Sequence, residues 1–251
     1  MGDRRRIGLW PVLAACVLLN GCTLAPSPPG ISRTDPEPAD QAPPDPSTAP
    51  SMTPATTPVA GSARAVLGTL AVKGRAPRTG YDRSQFGQAW SDVDRNGCDT
   101  RNDVLRRDLV DIAIRPGTRS CVVLSGTLLD PYTGETVPFV RGVASSRAVQ
   151  IDHVVALGDA WQKGAQLLSA QRRRELANDP RELLAVGGRV NQAKGDGDAA
   201  TWLPPSRSFR CAYVARQIGV KAEYGLWVTA AERDAMARVL DTCPDQAIPP
   251  S

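Results

Sequence analysis

The sequence predicts an α+β domain preceded by a long region that cannot build a core of its own. Four short apolar or β-branched segments have the composition of strands, and the turn signal at residues 130–134 joins the first two into a hairpin. The predicted strands are residues 121–128, 136–140, 149–154 and 183–186. Apolar residues at three- and four-residue steps predict helices at residues 62–72, 104–109, 156–178, 190–194, 208–220 and 229–242. A hairpin, two further strands and several helices are together typical of an α+β domain.

Residues 1–22 are arranged like a signal peptide. A basic head precedes an apolar run from residue 7 to 19, which is too short for a comfortable membrane span. Residues 19–22 resemble a bacterial lipobox, so one interpretation is a surface lipoprotein with a lipid anchor at Cys22. Because Asn20 is unusual in that motif, export without an anchor is the alternative. Either way, the sequence predicts an exported protein.

The next segment, residues 23–62, is dominated by Pro, Ser, Thr, Ala, Asp and Glu. Such a composition cannot bury enough apolar surface to offset the entropy of ordering, so we predict a disordered linker. Residues 63–247 then form the predicted folded domain, in which Tyr81, Phe86 and Trp90 are candidate core aromatics. The net charge of +4 and pI near 8.8 are compatible with a polyanionic substrate but do not establish one.

Four cysteines belong to the predicted folded domain. Cysteines in an oxidising compartment usually pair, and three pairings are open to four of them. We favour Cys98–Cys121 and Cys211–Cys243 because each bond closes a moderate local loop. A zinc site is less well supported because the chain has no CxxC pair, and free buried thiols are the remaining alternative.

The only histidine of the chain, His153, directly follows Asp152 within an apolar segment. Further on, Asn191 and Lys194 stand three residues apart in the run Asn-Gln-Ala-Lys-Gly-Asp. An imidazole titrates near neutral pH and suits proton transfer, whereas carboxylate and amide oxygens suit hard divalent cations. If residues 149–154 are extended, Asp152 and His153 point to opposite sides and should not share one task.

These two segments, with the Trp-Leu-Pro-Pro run at 202–205, resemble the HNH (ββα-metal) nuclease motif in its Asp-His…Asn…Lys variant. The flanking residues are similar to a secreted bacterial branch that shares a C-terminal module with certain modification-dependent restriction enzymes. The resemblance covers most of the chain after about residue 65. It implies a ββα-metal core with a helical insertion, flanked by a hairpin and helices and stapled by disulfides.

The resemblance also implies roles for individual residues. Asp152 and Asn191 would bind the metal, His153 would act as the general base, and Lys194 would contact the substrate phosphate. The family-like string at residues 98–105 implies that Arg101 faces the active site or the phosphate. Asparagine stands where the fullest HNH pattern has a third-position histidine, which favours Mg²⁺ or Mn²⁺ over softer metals.

A second candidate metal site lies at residues 92–103. Asp92, Asp94 and Asn96 occupy loop positions one, three and five and are followed by a glycine, which mimics a calcium loop. The closing residue is Asp103, where a calcium loop has a bidentate glutamate. A tight polar turn next to the Cys98 disulfide is therefore the competing interpretation.

The sequence therefore favours a metal-dependent endonuclease that acts on DNA, with RNA left open, and without sequence specificity. Two other interpretations remain. One is a non-catalytic, calcium-dependent binding module at the cell surface centred on the Asp92 loop. The other is a metal-dependent phosphodiesterase whose substrate is another polymer. The sequence carries no information on the oligomeric state.

Overall fold

The computed structural model describes residues 61–143 and 145–250. The predicted signal peptide, the anchor at Cys22 and nearly all of the predicted linker lie outside the described residues, so these remain predictions. In the part of the chain that is described, no helix combines the length and the apolar character needed to cross a membrane.

The described residues form seven α-helices and five β-strands, which confirms the predicted α+β class. The helices are α1 (Ala63–Thr69), α2 (Thr100–Asp108), α3 (Leu157–Gln162), α4 (Ala170–Asn178), α5 (Gly188–Lys194), α6 (Arg210–Glu223) and α7 (Ala230–Leu240). The strands are β1 (Leu109–Ile114), β2 (Val123–Leu129), β3 (Thr136–Val140), β4 (Val149–His153) and β5 (Leu183–Gly187).

The first three strands form an antiparallel sheet in the order β1-β2-β3. The predicted hairpin corresponds to β2 and β3, and Pro138 lies on the edge strand β3, where its missing N–H group costs no ladder bond. The sequence did not predict β1. Most residues of this strand are exposed, so its sequence lacks the alternation of apolar and polar residues that marks a half-buried strand. Asp111 also has φ +51° and lies next to an irregularity in the register.

The remaining two strands form a separate antiparallel pair that positions the candidate site. In its register Ile151 lies opposite Ala185, and Asp152 lies opposite Leu184. All five residues of β5 are buried, because both faces of the pair are covered. One face packs against α2 and the three-stranded sheet, and the other packs into the larger helical core. The helix α5 follows β5 directly, so two strands and a helix occur in the predicted order.

Both favoured disulfide pairings are confirmed. Cys98 bonds to Cys121 and ties the loop before α2 to the approach of β2. Cys211 bonds to Cys243 and ties the start of α6 to the residues that follow α7. The first bond joins residues that are 23 positions apart in the sequence, and the second joins residues that are 32 positions apart.

The prediction of one continuous helical region at residues 156–178 was wrong, because the segment is two α-helices separated by a 3₁₀ turn at residues 165–167. Gly164 adopts φ +119°, which favours glycine and ends the first helical stretch. Ser169 then caps a new helix, since its side chain accepts a hydrogen bond from the Arg172 amide. The apolar spacing continues across the turn, and this is why periodicity alone did not show the break.

A buried ionic network connects the helices to the segment before the site. The ammonium of Lys163 is fully buried and lies 2.6–2.8 Å from Asp159, Asp198 and Glu232. Lys221 and Arg75 complete the set, so three cations face three carboxylates. Balanced charge and short contacts are the conditions under which such burial is tolerated. The network fixes residue 75 against α3 and thereby helps to position the chain that leads to the site.

Candidate active site

The strand β4 presents Asp152 and His153 to opposite faces of the strand pair. Asp152 contacts Lys194 of α5 and Tyr132 of the hairpin turn. His153 contacts Ala177 at the end of α4 and Arg83 from a short turn earlier in the chain. This separation follows from the alternation of side chains along an extended strand. The two residues are neighbours in sequence but belong to different environments.

The hydrogen bonds of His153 determine which ring nitrogen can accept a proton. Its Nε2 lies 3.0 Å from the carbonyl oxygen of Ala177. Because a carbonyl can only accept, the neutral ring carries its hydrogen on Nε2 and keeps a lone pair on Nδ1. The guanidinium of Arg83 lies 3.5 Å from Nδ1, at the outer limit of a hydrogen bond. Nδ1 is therefore the basic atom of the site.

A cavity of about 270 Å³ lies beside this imidazole. Its lining is mainly apolar, with Phe86, Trp90 and Leu157 among the contributors, whereas Arg83 and Asn178 supply polar groups. The Trp90 ring is nearly parallel to the imidazole, at an angle of 20°, and the ring centroids are 6.2 Å apart. His153 is only 7% exposed, yet it lines this space. The ring is thus buried without being sealed from a ligand in the cavity.

The turn that carries Arg83 is held against α4. The Arg173 guanidinium donates to the Gln85 carbonyl at 2.8 Å. Gly87, at φ +80°, lets the backbone approach Arg174 so closely that a Cβ atom at residue 87 would lie 3.3 Å from the Arg174 side chain.

The neighbouring arginines of α4 have other contacts. Because it donates to the Gln85 carbonyl, Arg173 is committed to a backbone contact. Arg172 pairs with Glu175 at 2.8 Å. The three consecutive arginines therefore have different contacts and do not form one uniform charged surface.

Burial, and next the positive charge of Arg83, lowers the pKa of His153 from 6.5 to about 3. The hydrogen bond to Ala177 acts in the opposite direction but does not offset the desolvation. The imidazole is therefore neutral in the free protein at physiological pH. A neutral ring whose Nδ1 lone pair meets only the long Arg83 contact is the form that a general base requires.

The low pKa of His153 predicts a loss of stability as the pH falls below about 6.5. In the window from 6.5 down to about 3 the unfolded chain binds a proton at His153 and the folded chain does not, so acid favours unfolding. At pH 5 the loss is about 2 kcal/mol, from roughly 1.4 kcal/mol per pKa unit. Urea unfolding at pH 7 and pH 5 measures it. His153→Gln, which does not titrate, should lose less stability over the same interval, and equal losses in both proteins would contradict the assignment.

Asp152 is buried and both of its carboxylate oxygens are engaged. Oδ1 accepts a hydrogen bond from the Lys194 ammonium at 2.9 Å, and Oδ2 accepts one from the Tyr132 hydroxyl at 2.5 Å. The same ammonium also donates to the His153 carbonyl at 2.7 Å. Lys194 is fully buried, so in this arrangement it holds β4 to α5 and does not face the cavity beside His153.

Asn191 lies on the same β4–α5 interface as Lys194, one helical turn earlier. Its Nδ2 donates to the Gln150 side chain at 2.8 Å. On this interface Asn191 of α5 therefore faces Gln150 of β4, just as Lys194 of α5 faces Asp152 of β4. A carboxylate and an amide oxygen are donors that Mg²⁺ accepts. The two oxygen-bearing side chains are therefore of the type that a hard divalent cation prefers. In this structure, however, the Asp152 oxygens accept hydrogen bonds from Lys194 and Tyr132 and are not free to bind an ion.

Arg101 extends from α2 toward the opposite end of β4. Its guanidinium donates to the Val149 carbonyl at 3.3 Å and lies 6.0 Å from the Trp90 ring centroid. Burial, and next the charge of Arg141, lowers its pKa from 12.5. The structure thus connects Arg101 to the site through Trp90, and it does not place Arg101 among the residues that line the cavity.

The Asp92 loop is a polar turn whose oxygens mostly accept hydrogen bonds from the loop itself. Asp92 accepts from the amides of Asn96 and Gly97, and Asp94 accepts from both amide groups of Asn96. Across residues 61–143 and 145–250, no three side chains of His, Cys, Asp or Glu are grouped so that they could hold a metal ion. Calcium binding at this loop stays a prediction.

Three residues of the site were not predicted as functional from the sequence. Arg83 and Asn178 do not belong to any recognisable sequence motif. Each is distant from His153 along the chain and comes close to it only through the packing of α4. Trp90 was predicted as a core aromatic, and it does pack against the smaller core cluster, but it is half-buried and also lines the cavity. Its φ of +60°, rare for a non-glycine residue, has no counterpart in the sequence pattern.

Comparison with known proteins shows the family of the chain. Residues 99–239, more than half of the chain, match the family model described as GmrSD restriction endonucleases, C-terminal domain. A protein of Arthroderma benhamiae named "Uncharacterized secreted protein" is 39% identical over 197 residues, which is 78% of this chain and 91% of that protein. The chain therefore belongs to the family of GmrSD restriction endonuclease C-terminal domains.

Proposed function

We propose that this protein is an exported HNH-type endonuclease that hydrolyses phosphodiester bonds of DNA without sequence specificity. The observation that carries the proposal is the environment of His153. The single histidine of the chain is held by a backbone carbonyl, keeps its Nδ1 lone pair, and lines a cavity next to a guanidinium. The family match supports a nucleic-acid substrate, and RNA is a second substrate that the same chemistry would accept.

The residues of the site suit hydrolysis by an activated water. Nδ1 of His153 takes a proton from the water as its oxygen bonds to phosphorus and the bond to the leaving oxygen breaks. Arg83 lies beside Nδ1 and can pair with a phosphate oxygen, which stabilises the added negative charge. A bound phosphate also raises the pKa of His153 from its low value, because a nearby anion favours the protonated imidazole. Substrate binding therefore strengthens the base at the step where it is needed.

We also propose that catalysis depends on Mg²⁺ or Mn²⁺, with Asp152 and Asn191 as the protein ligands. Such an ion would supply positive charge to a substrate phosphate, although in the present structure Asp152 lies on the face of β4 opposite to His153 and its cavity. The two residues lie on one β4–α5 interface, which supports the pairing. The contact between Lys194 and Asp152 stands against it, since an ammonium occupies one of the oxygens that the ion would need.

A plasmid cleavage assay tests the nuclease and its metal dependence together. We expect purified protein to degrade plasmid DNA with Mg²⁺ or Mn²⁺, EDTA to reduce cleavage to background, and excess Mg²⁺ to restore it. Cleavage that continues unchanged in EDTA would remove the metal from the proposal and leave His153 in place. Failure to cleave DNA or RNA with any divalent ion would remove the nuclease activity, and a panel of other phosphodiester polymers would then be the next test.

Export is supported by three independent features. The N-terminal 22 residues have the layout of a signal peptide, both predicted disulfides are formed, and the Arthroderma benhamiae relative is named as a secreted protein. Disulfides are retained in oxidising compartments, so the fold is suited to work outside the cytoplasm. A lipid anchor at Cys22 is the one membrane attachment that we propose.

A further inference from the structure

The cavity beside His153 is larger and more apolar than a phosphate requires. Its volume is about 270 Å³, and most of its lining is apolar. Phosphate is strongly hydrated and gains nothing from the apolar surface of Phe86, Trp90 and Leu157. A flat, weakly hydrated ring gains from such a surface. In a nucleic-acid substrate the group with these properties is the base.

Trp90 has the features of a stacking platform. Its ring is half-buried, lines the cavity and runs nearly parallel to the imidazole. It also adopts φ +60°, a backbone conformation that costs free energy for a side chain of this size. Strain of this kind persists where the surrounding structure needs the side chain in that place. The indole would be the aromatic face on which a base stacks.

Asn178 supplies a hydrogen-bonding group at the same cavity. The residue is 1% exposed, and its Nδ2 donates to the Arg174 carbonyl at 2.8 Å. Its Oδ1 is buried and has no hydrogen-bond partner among the described residues. A buried acceptor without a donor is costly, and a ligand that brings an N–H group would satisfy it. Every nucleobase has such a group on the edge that pairs in a duplex.

Positive charge continues from the cavity along the adjoining surface. Arg83 lies at the cavity beside His153, and a neighbouring depression that shares Ser84 and Gly87 with the cavity is lined by the exposed Arg174. Proteins that bind single-stranded nucleic acid commonly combine aromatic side chains, on which the bases stack, with nearby cationic side chains that bind the phosphates. A base in the cavity would place the adjoining phosphate near Arg83 and Nδ1.

We propose that this cavity binds one unpaired, unstacked nucleobase of the substrate, with Trp90 as the stacking surface and Asn178 as the hydrogen-bond acceptor. The inference rests on the proposed nuclease function, since the base is that of the nucleotide presented to His153. Because the pairing edge must be free, the preferred substrate is a single strand. Duplex DNA would be bound less tightly, and a strand that lacks bases would lose the main contact.

The test measures binding in EDTA, so that it does not depend on cleavage. The probes are a dye-labelled 12-nucleotide single strand, the same length of abasic strand, and the corresponding duplex, followed by fluorescence anisotropy. We expect the single strand to bind at least about tenfold more tightly than the abasic strand, the scale of one base stacked on an aromatic ring. Trp90→Ala should remove this difference, Trp90→Phe should retain most of it, and Leu167→Ala, an exposed apolar position outside the cavity lining, should leave it unchanged.

Equal affinity for the intact and abasic strands would overturn the base site, whether or not the protein cleaves DNA. The same holds if Trp90→Ala keeps the wild-type difference while its thermal unfolding shows an intact fold. If the difference and its dependence on Trp90 are found but no metal supports cleavage, the base site stands and the nuclease proposal fails. A cleavage assay on the same probes therefore separates the two proposals.

Discussion

Replacing His153 with alanine is expected to lower the rate of DNA cleavage by about 10²- to 10⁴-fold, the usual contribution of a general base. The chain has no second histidine that could take over, and His153 lines the cavity with its basic Nδ1 atom beside Arg83. The measurement is the initial rate of plasmid cleavage in Mg²⁺, with the protein in excess so that binding does not limit the rate.

A second variant, His153→Gln, controls for loss of the folded structure. His153→Gln keeps a polar side chain that can donate to the Ala177 carbonyl, so it should fold like the wild type and be as inactive as the alanine variant. Thermal unfolding and far-UV circular dichroism of both variants establish that comparison. Cleavage at the wild-type rate by either variant would show that another group activates the water and would end the assignment of His153.

The second large effect concerns the Asp152–Lys194 pair. Asp152→Ala alone is expected to destabilise the protein by about 3–5 kcal/mol, because it leaves the fully buried Lys194 ammonium without its carboxylate. The double variant Asp152→Leu/Lys194→Met removes both charges and should recover most of that loss, since no buried ion is left unpaired. Urea unfolding in EDTA measures these stabilities without a contribution from bound metal.

This pair of variants separates a structural role of Asp152 from a chemical one. If Asp152 binds the catalytic metal, the double variant is stable but inactive. A double variant that folds and cleaves DNA at the wild-type rate would show that Asp152 serves only to hold β4 to α5. A negligible stability change in Asp152→Ala would instead show that Lys194 and Asp152 are not paired in solution.

Much of the fold was predictable because its signals are local. Thr229 and Glu232 form the capping box that begins α7, and the pairing of β2 with β3 follows from their turn and their apolar pattern. The disulfides were predicted from loop length alone. Predictions failed where the decisive feature was not periodic, as at Gly164, whose backbone conformation divides residues 156–178 into two helices.

The candidate site was predictable only in part, for the same reason. Asp152 and His153 were singled out by their adjacency, and the two-residue period of a strand correctly placed their side chains on opposite faces. The partners of these side chains could not be read from the sequence. Tyr132 and Arg83 are 20 and 70 residues away along the chain, and only the packing of the hairpin turn and of α4 brings them close.

The sequence by itself determined the order of the chemistry-bearing residues and the class of the fold, and it favoured the correct covalent pairs, because adjacency, periodicity and loop length are properties of the chain. The tertiary structure alone decided what surrounds each group. It set Lys194 against Asp152 and placed His153, Trp90 and Asn178 around one cavity. Burial and hydrogen bonding control the reactivity of a side chain, and both depend on which distant segments pack together.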